Sequence, residues 1–269
     1  DCDSRGRPST RRDSAPTAVF NGNKVEWISW KFNAWAKYDN FNLDAEVPAL
    51  VSEQTRHSLE PALRPDNNLP LVLEGGAIDC DGEGTLLVTE ECLLSKIQER
   101  NPGLSKENYE LAFKRYLGTE KTIWLTRSCE GDDTHGHIDD VARFVAPGKV
   151  VLAFEGNIND ANYAASQENF EILSNAKDAR GRRLEVVKLP MPRHIEFEGL
   201  RLPASYANFY IANGTVIVPT FNDEMDLEAL NTLRSCFPDR KIIGISAIDL
   251  ILGLGTLHCL TQQQPKNTS

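Results

Sequence analysis

No stretch of this chain approaches the run of roughly 18 apolar residues that a membrane-spanning helix needs. The polar opening from Asp1 to Ser14 holds no apolar core of the secretory-signal kind. A cytoplasmic protein with no membrane association is expected. Positive charge is also scarce: 29 Lys and Arg stand against 39 Asp and Glu, a net charge of -10. That balance argues against the basic face on which nucleic-acid phosphates bind. It suits a cationic ligand, although solubility accounts for most of it. The six cysteines, at positions 2, 80, 92, 129, 236 and 259, form no Cys-x-x-Cys pair and are too sparse for a disulfide scaffold. Reduced thiols are expected. Linker-like stretches rich in Gly, Ser or Pro are missing too, so residues 11–269 are expected to form one domain behind an unassigned segment, 1–10. What is present, 41% apolar and 25% charged residues over 269 positions, is enough for one or two sizeable cores.

Turn signals recur at Asn21-Gly22, Asp81-Gly82, Pro147-Gly148 and Asn213-Gly214, at spacings of 60, 66 and 66 residues. Such a period indicates an internal repeat. Each turn is expected to close a β-hairpin: Thr17 to Phe20 with Val25 to Trp30, Ala77 to Cys80 with Thr85 to Thr89, Val141 to Ala146 with Val150 to Phe154, and Ala207 to Ile211 with Thr215 to Pro219. Apolar residues at helical spacing follow over Leu43 to Leu59, Tyr109 to Leu117, Tyr163 to Ala176 and Leu227 to Phe237. Lone strands then follow at Leu69 to Leu73, Thr122 to Thr126, Leu184 to Leu189 and Lys241 to Ile245. The repeating unit is ββαβ, an α/β architecture. Leu257 to Thr261 would open a fifth unit, left incomplete, and the residues before Arg11 are too few to supply its helix and final strand.

Cys259 lies in Gly253-Leu254-Gly255-Thr256-Leu257-His258-Cys259-Leu260-Thr261, an apolar run after a Gly-rich bend. A lone cysteine is most often a small buried apolar residue. With His and carboxylates elsewhere in the chain, it is also what thiolate catalysis needs. His137 and Asp139, two residues apart, would share one face of a strand as an imidazole and its partner carboxylate. The same segment admits a metal reading. His135-x-His137-x-Asp139 is how the metallo-β-lactamase fold begins its dinuclear zinc site, with His194 and His258 as later ligands, although Asp140 stands where that site has a histidine. Trp27, Trp30, Trp35 and Trp124 read as core aromatics.

Four ordered blocks resemble the agmatine deiminases and the Porphyromonas-type peptidylarginine deiminases. They are Arg12-Asp13-Ser14-Ala15-Pro16-Thr17 with Phe32-Asn33-Ala34-Trp35, Leu73-Glu74-Gly75-Gly76-Ala77-Ile78 with Asp81 to Leu87, Asp132 to Asp139, and the Gly-rich turn with His258-Cys259 and the Gln263-Gln264-Pro265 tail. Ala15, Leu254 and Thr256 stand where Gly, Gly and Asn are usual. The resemblance implies a pentein α/β-propeller of ββαβ units around a central channel, here lacking the N-terminal part that closes the ring.

It also implies hydrolytic deimination of a small cationic guanidine, most simply agmatine to N-carbamoylputrescine and ammonia in polyamine biosynthesis, with no metal and no organic cofactor. Cys259 would be the nucleophile, His137 the acid and then the base, and Glu74 would orient His137. Asp13 and Asp139 would take the guanidinium, with Asp133 and Gly255 at the substrate. His135 and His258 are expected in supporting or turn positions. The alternatives are peptidylarginine as substrate, a metallo-β-lactamase-type hydrolase, and a degenerate enzyme that only binds.

Overall fold

The computed structural model describes residues 11–22 and 24–265, so the unassigned segment 1–10 and Cys2 lie outside the described residues. Its organisation is four three-stranded sheets, each an antiparallel hairpin extended by a parallel third strand. The first holds β1 (Thr17–Asn21), β2 (Lys24–Ser29) and β3 (Leu59–Pro61), and the second β4 (Asp79–Cys80), β5 (Thr85–Thr89) and β6 (Lys121–Leu125). The third holds β7 (Ala142–Ala146), β8 (Lys149–Phe154) and β9 (Glu185–Pro190). A small hairpin, β10 (Glu196–Phe197) with β11 (Leu200–Arg201), precedes the fourth: β12 (Tyr210–Ala212), β13 (Thr215–Thr220) and β14 (Lys241–Ser246). The four expected hairpins therefore form, with Gly22, Gly82, Gly148 and Gly214 all at positive φ in their turns, where only glycine is unstrained.

A parallel third strand demands a crossover, and a helix supplies it in each unit. The second unit shows the local logic. Ser105 caps the helix Lys106–Leu117 by accepting from the Asn108 N–H, and Gly118 ends it at φ 67°. Its buried residues Tyr109, Ala112, Phe113 and Tyr116 recur at helical spacing and pack on Leu86 and Val88 of β5. Helices Tyr163–Asn175 and Asp226–Cys236 bury Leu173 and Leu233 in the corresponding way. No helix among the described residues is long and apolar enough to cross a membrane.

Two expectations need correction. In the first unit the helix ends at Thr55, and the third strand is Leu59–Pro61 rather than Leu69 to Leu73. Within the latter stretch only Val72 and the preceding-strand contact of Pro70 make isolated bridges, to Lys31 and Leu63. Apolar content misled here because Leu71 and Leu73 are fully buried without belonging to a sheet. The segment Leu257 to Thr261 forms no strand. It turns, with the Leu260 N–H on the Thr256 carbonyl and the Thr261 N–H on that of His258.

The units are tied through their first strands. Arg143 of β7 donates to Asp79 of β4 at 2.7 Å and to the Phe209 carbonyl, just before β12, at 3.0 Å. The C-terminal tail closes onto the first unit: Arg12 donates to the His258 carbonyl at 2.8 Å and to Gln263 at 3.0 Å, and Gln262 donates to the Pro16 carbonyl at 2.7 Å. Residues of all four first strands, among them Val19, Cys80, Phe144 and Tyr210, line one cavity of about 710 Å³ whose wall also includes Arg12 and His258.

Candidate active site

Three of the residues singled out from sequence sit just before a hairpin. Asp13 lies in the short helix Arg11–Ser14 before β1, Glu74 precedes the 3-10 turn Gly75–Ala77 before β4, and His137 precedes the 3-10 turn Ile138–Asp140 before β7. Cys259 joins them from the C-terminal turn, and all are buried: Glu74, His137 and Asp139 at 0% exposure, Asp13 at 3% and Cys259 at 4%.

The Gly75-Gly76 pair has a steric cause. A Cβ on Gly76 would lie 2.5 Å from His137 Nδ1 and 3.0 Å from Asp13 Oδ1, and one on Gly75 would lie 2.6 Å from the Arg12 carbonyl. Only bare backbone fits between these side chains. Asp13 is then held by the Gly76 N–H at 3.0 Å and by the Trp35 indole N–H at 3.1 Å. Trp35 is thus buried as expected of a core aromatic, but it is also a donor to the site. It sits on a turn in which Ala34, Trp35 and Ala36 all have positive φ.

The expected pairing of His137 with Asp139 on a strand is not what forms. The 3-10 turn separates them. His137 faces Glu74, Nε2 to Oε2 at 3.6 Å, and Asp13, Nδ1 to Oδ1 at 3.8 Å, both too long for hydrogen bonds. Asp139 Oδ2 instead lies 2.6 Å from Nδ1 of His258 and 3.6 Å from Cys259 Sγ. His258, expected only in support, is therefore the direct partner of a site carboxylate. Both ring nitrogens of His137 and Oδ1 of Asp139 are buried with no hydrogen-bond partner.

Several residues around these were not legible as functional. Arg100 donates to Glu74 at 3.0 Å and also bonds the Thr134 carbonyl. Asp132 accepts from the N–H groups of Gly136 and His137 at 2.9 and 3.0 Å, which fixes the His137 backbone. Asn208 reaches Cys259 Sγ at 3.1 Å and Asp140 at 2.9 Å. The repeat held a signal for Asn208, since the fourth hairpin was the one with no residue assigned at its start.

Asp133 is bound by Lys37 and, at 2.9 Å, by Tyr38, on the same strap as Trp35. Gly255 is buried in the C-terminal turn, and its neighbour Leu254 adopts φ 60° where the resemblance has glycine. The metal reading loses its ligand set, because His135 bonds Ser95 at 3.0 Å and His194 is half-exposed beside Glu196. The donor triads that do gather within 4.8 Å among the described residues are Glu74, Cys92 and His137, and Asp139, Asp140 and Cys259.

The electrostatics divide the site. Burial works against a charged His137, but the carboxylates of Asp13 and Glu74 outweigh it and raise the ring to about 10. Burial likewise opposes a charged Glu74, yet Arg100 and His137 bring it down to about 2. Asp139 is pushed up to about 6, chiefly by burial. His258 is held neutral by burial and by Arg12 and Arg143, so its Nδ1–H donates to Asp139. Cys259 is driven well above the usual thiol range by burial and by Asp139, Asp140 and Asp13. The site is therefore an acidic pocket with a protonated imidazole on one side and an uncharged thiol on the other. It is built to be neutralised by a cation.

Residues 11–265 match the family model described as Porphyromonas-type peptidyl-arginine deiminase. A curated protein of Latilactobacillus sakei named "Putative agmatine deiminase" is 44% identical over 281 residues, covering 94% of this chain and 74% of its own length. One of the same name from Selenomonas ruminantium is 44% identical over 275 residues, covering 94% and 73%. Among solved structures, the agmatine deiminase of Enterococcus faecalis superposes with a TM-score of 0.87 at 37% identity, over 96% of this chain and 74% of that one.

Proposed function

The chain belongs to the Porphyromonas-type peptidyl-arginine deiminase family, and on that premise we propose that it hydrolyses agmatine to N-carbamoylputrescine and ammonia through a covalent adduct on Cys259. The observation that carries this reading is the buried, unpartnered Oδ1 of Asp139 beside the thiol, an acceptor that a guanidinium N–H would meet. Buried polar atoms require partners. A guanidinium between Asp13 and Asp139 would donate to the carboxylates and bring its carbon to the sulfur. Full burial of these groups favours a small substrate over a peptide.

The guanidinium carbon is a poor electrophile because its charge is spread over three nitrogens, and hydrogen bonds from fixed carboxylates localise that charge. Its arrival also changes the thiol. The carboxylates that hold Cys259 protonated are neutralised by the bound cation, and the thiolate becomes accessible. Sγ attacks to give a tetrahedral adduct, and His137, protonated at neutral pH, donates to the departing ammonia. The S-alkylthiouronium that remains is attacked by water. His137, now neutral, takes the proton of that water, and the C–S bond breaks to release the ureido product and the Cys259 thiolate. Glu74, anchored by Arg100, holds the ring through both proton transfers. Every step is met by side chains of this chain, so the reading requires no metal or organic cofactor.

The architecture that goes with this reading is a pentein-type propeller in which the four sheets are four units around a channel and residues 11–269 form one domain. Support comes from the shared cavity lined by all four first strands. A cytoplasmic location accords with five described cysteines that are all unpaired. The decisive experiment is ammonia release by the purified protein from agmatine, free arginine and an arginine peptide. Agmatine should be turned over at least about tenfold more efficiently than either. A preference for the peptide would reassign the substrate, and no release from any of them would remove the activity.

A further inference from the structure

Resting on Cys259 as the nucleophile, we propose that Asn208 is a further catalytic residue: its side-chain NH2 donates a hydrogen bond to the Cys259 sulfur and stabilises the thiolate for attack on the guanidinium carbon. The geometry fixes which way the amide points. One end of the side chain meets the backbone N–H groups of His258 and Cys259 at 3.0 and 3.3 Å, and the Thr256 hydroxyl at 2.7 Å. Two backbone donors can be received only by an oxygen, so that end is Oδ1 and the other is the NH2. That NH2 has two hydrogens and two acceptors: Asp140 Oδ1 at 2.9 Å and Cys259 Sγ at 3.1 Å.

The residue is 1% exposed. Its backbone N–H bonds the Ser205 carbonyl at 3.4 Å, and the Ser205 hydroxyl fastens that turn by donating to the Asp140 carbonyl at 2.8 Å and receiving the Ala207 N–H at 3.1 Å. Asn208 therefore clamps the nucleophile at two levels, the backbone through Oδ1 and the sulfur through Nδ2. Its neighbours make the second role necessary. Asp139 and Asp140 both lie beside Cys259, with donor atoms within 4.8 Å, and each opposes a thiolate there. A neutral donor fixed on the sulfur offsets that field without adding a cation that would compete with the substrate. A donor aimed in advance at developing negative charge is the same device as an oxyanion hole.

Asn208→Asp keeps the side-chain size and the accepting oxygen while removing the NH2, and Asn208→Ser shortens the group. Below the thiol pKa, alkylation by iodoacetamide tracks the thiolate fraction. With peptide mapping of Cys259, alkylation at pH 8 should slow at least about tenfold in both variants. Their kcat for agmatine should fall by about a hundredfold, with KM changed far less. A folded variant with wild-type alkylation and a changed melting temperature alone would show that Asn208 is only structural. A wild-type measurement removes dependence on variant folding: the side-chain amide proton resonances of Asn208 should move with the pH at which Cys259 ionises, and should not move so in Cys259→Ala. Resonances indifferent to Cys259 would overturn the proposal. The parent reading fails separately, if Cys259→Ser retains activity; an inactive Cys259→Ser with an unaltered alkylation profile in Asn208→Asp sinks this inference alone.

Discussion

Nδ1 of His258 lies 2.6 Å from Oδ2 of Asp139, whereas the ring of His137, two positions before that aspartate, faces Glu74 and Asp13 instead. The carboxylate proposed to bind the guanidinium and the imidazole proposed to transfer protons are therefore held by different partners. They should fail in different ways.

Loss of His258 removes the donor that orients Asp139. His258→Ala should lower kcat/KM for agmatine by about 5- to 100-fold, mostly through KM. Steady-state ammonia release is the check, and an unchanged KM would show that Asp139 needs no such support.

His137→Ala should abolish turnover, because no other described residue faces the site as a protonated imidazole. His135→Ala should keep a substantial fraction, since that ring bonds Ser95. Equal and complete loss in two folded variants would return the segment to a two-histidine metal site.

Cys259 must become attached to the substrate carbon before water acts. A rapid acid quench during agmatine turnover should add mass to the peptide bearing Cys259 and to none bearing Cys80, Cys92, Cys129 or Cys236. Cys259→Ser should give no adduct and a rate lower by several orders of magnitude, a hydroxyl being far less acidic than a thiol at about 8.5. Retention of most of the wild-type rate would end the covalent mechanism.

The pH dependence has two signs. With the Asp139 carboxylate as the proposed partner of agmatine, kcat/KM should rise as pH increases through about 6. Stability runs the other way over a higher window. His137 is raised from 6.5 to about 10, so its contribution is fully present below about 6.5, where folded and unfolded chains are both protonated. It is lost as pH rises toward 10, because the unfolded chain sheds its proton first. Melting temperature should decline across that window in the wild type, and His137→Ala should remove that part of the decline. An identical profile in the variant would contradict the assignment.

Glu74→Gln leaves Arg100, fully buried on its side chain, without its counter-ion. Removal of one partner from a buried pair costs about 3–5 kcal/mol, which urea unfolding at pH 7 would measure. In the wild type the Glu74 contribution is present above about 4.5 and lost as pH falls toward about 2. A loss below about 1 kcal/mol would mean that water or another carboxylate reaches Arg100.

The local chemistry of the chain determined much of this protein. Asn-Gly, Asp-Gly and Pro-Gly turns between β-branched runs required four hairpins, because two-residue turns of that kind need positive φ, and helical spacing marked a crossover after each. Asp13, Glu74, His137, Asp139 and Cys259 were legible as well, and the first four stand at the start of these units. What sequence could not decide was which side chain meets which. Asp139 sits two residues from His137 but pairs with His258, 119 positions away, because a 3-10 turn rather than a strand follows His137 and rotates the carboxylate off the imidazole's face. Leu71 and Leu73 looked like a strand because burial and strand pairing leave the same apolar trace. Asn208 was marked only by its place before the fourth hairpin: an amide becomes a partner of the nucleophile only when that hairpin brings it against the C-terminal turn, and contacts across 51 residues are set by packing of the units rather than by local propensity.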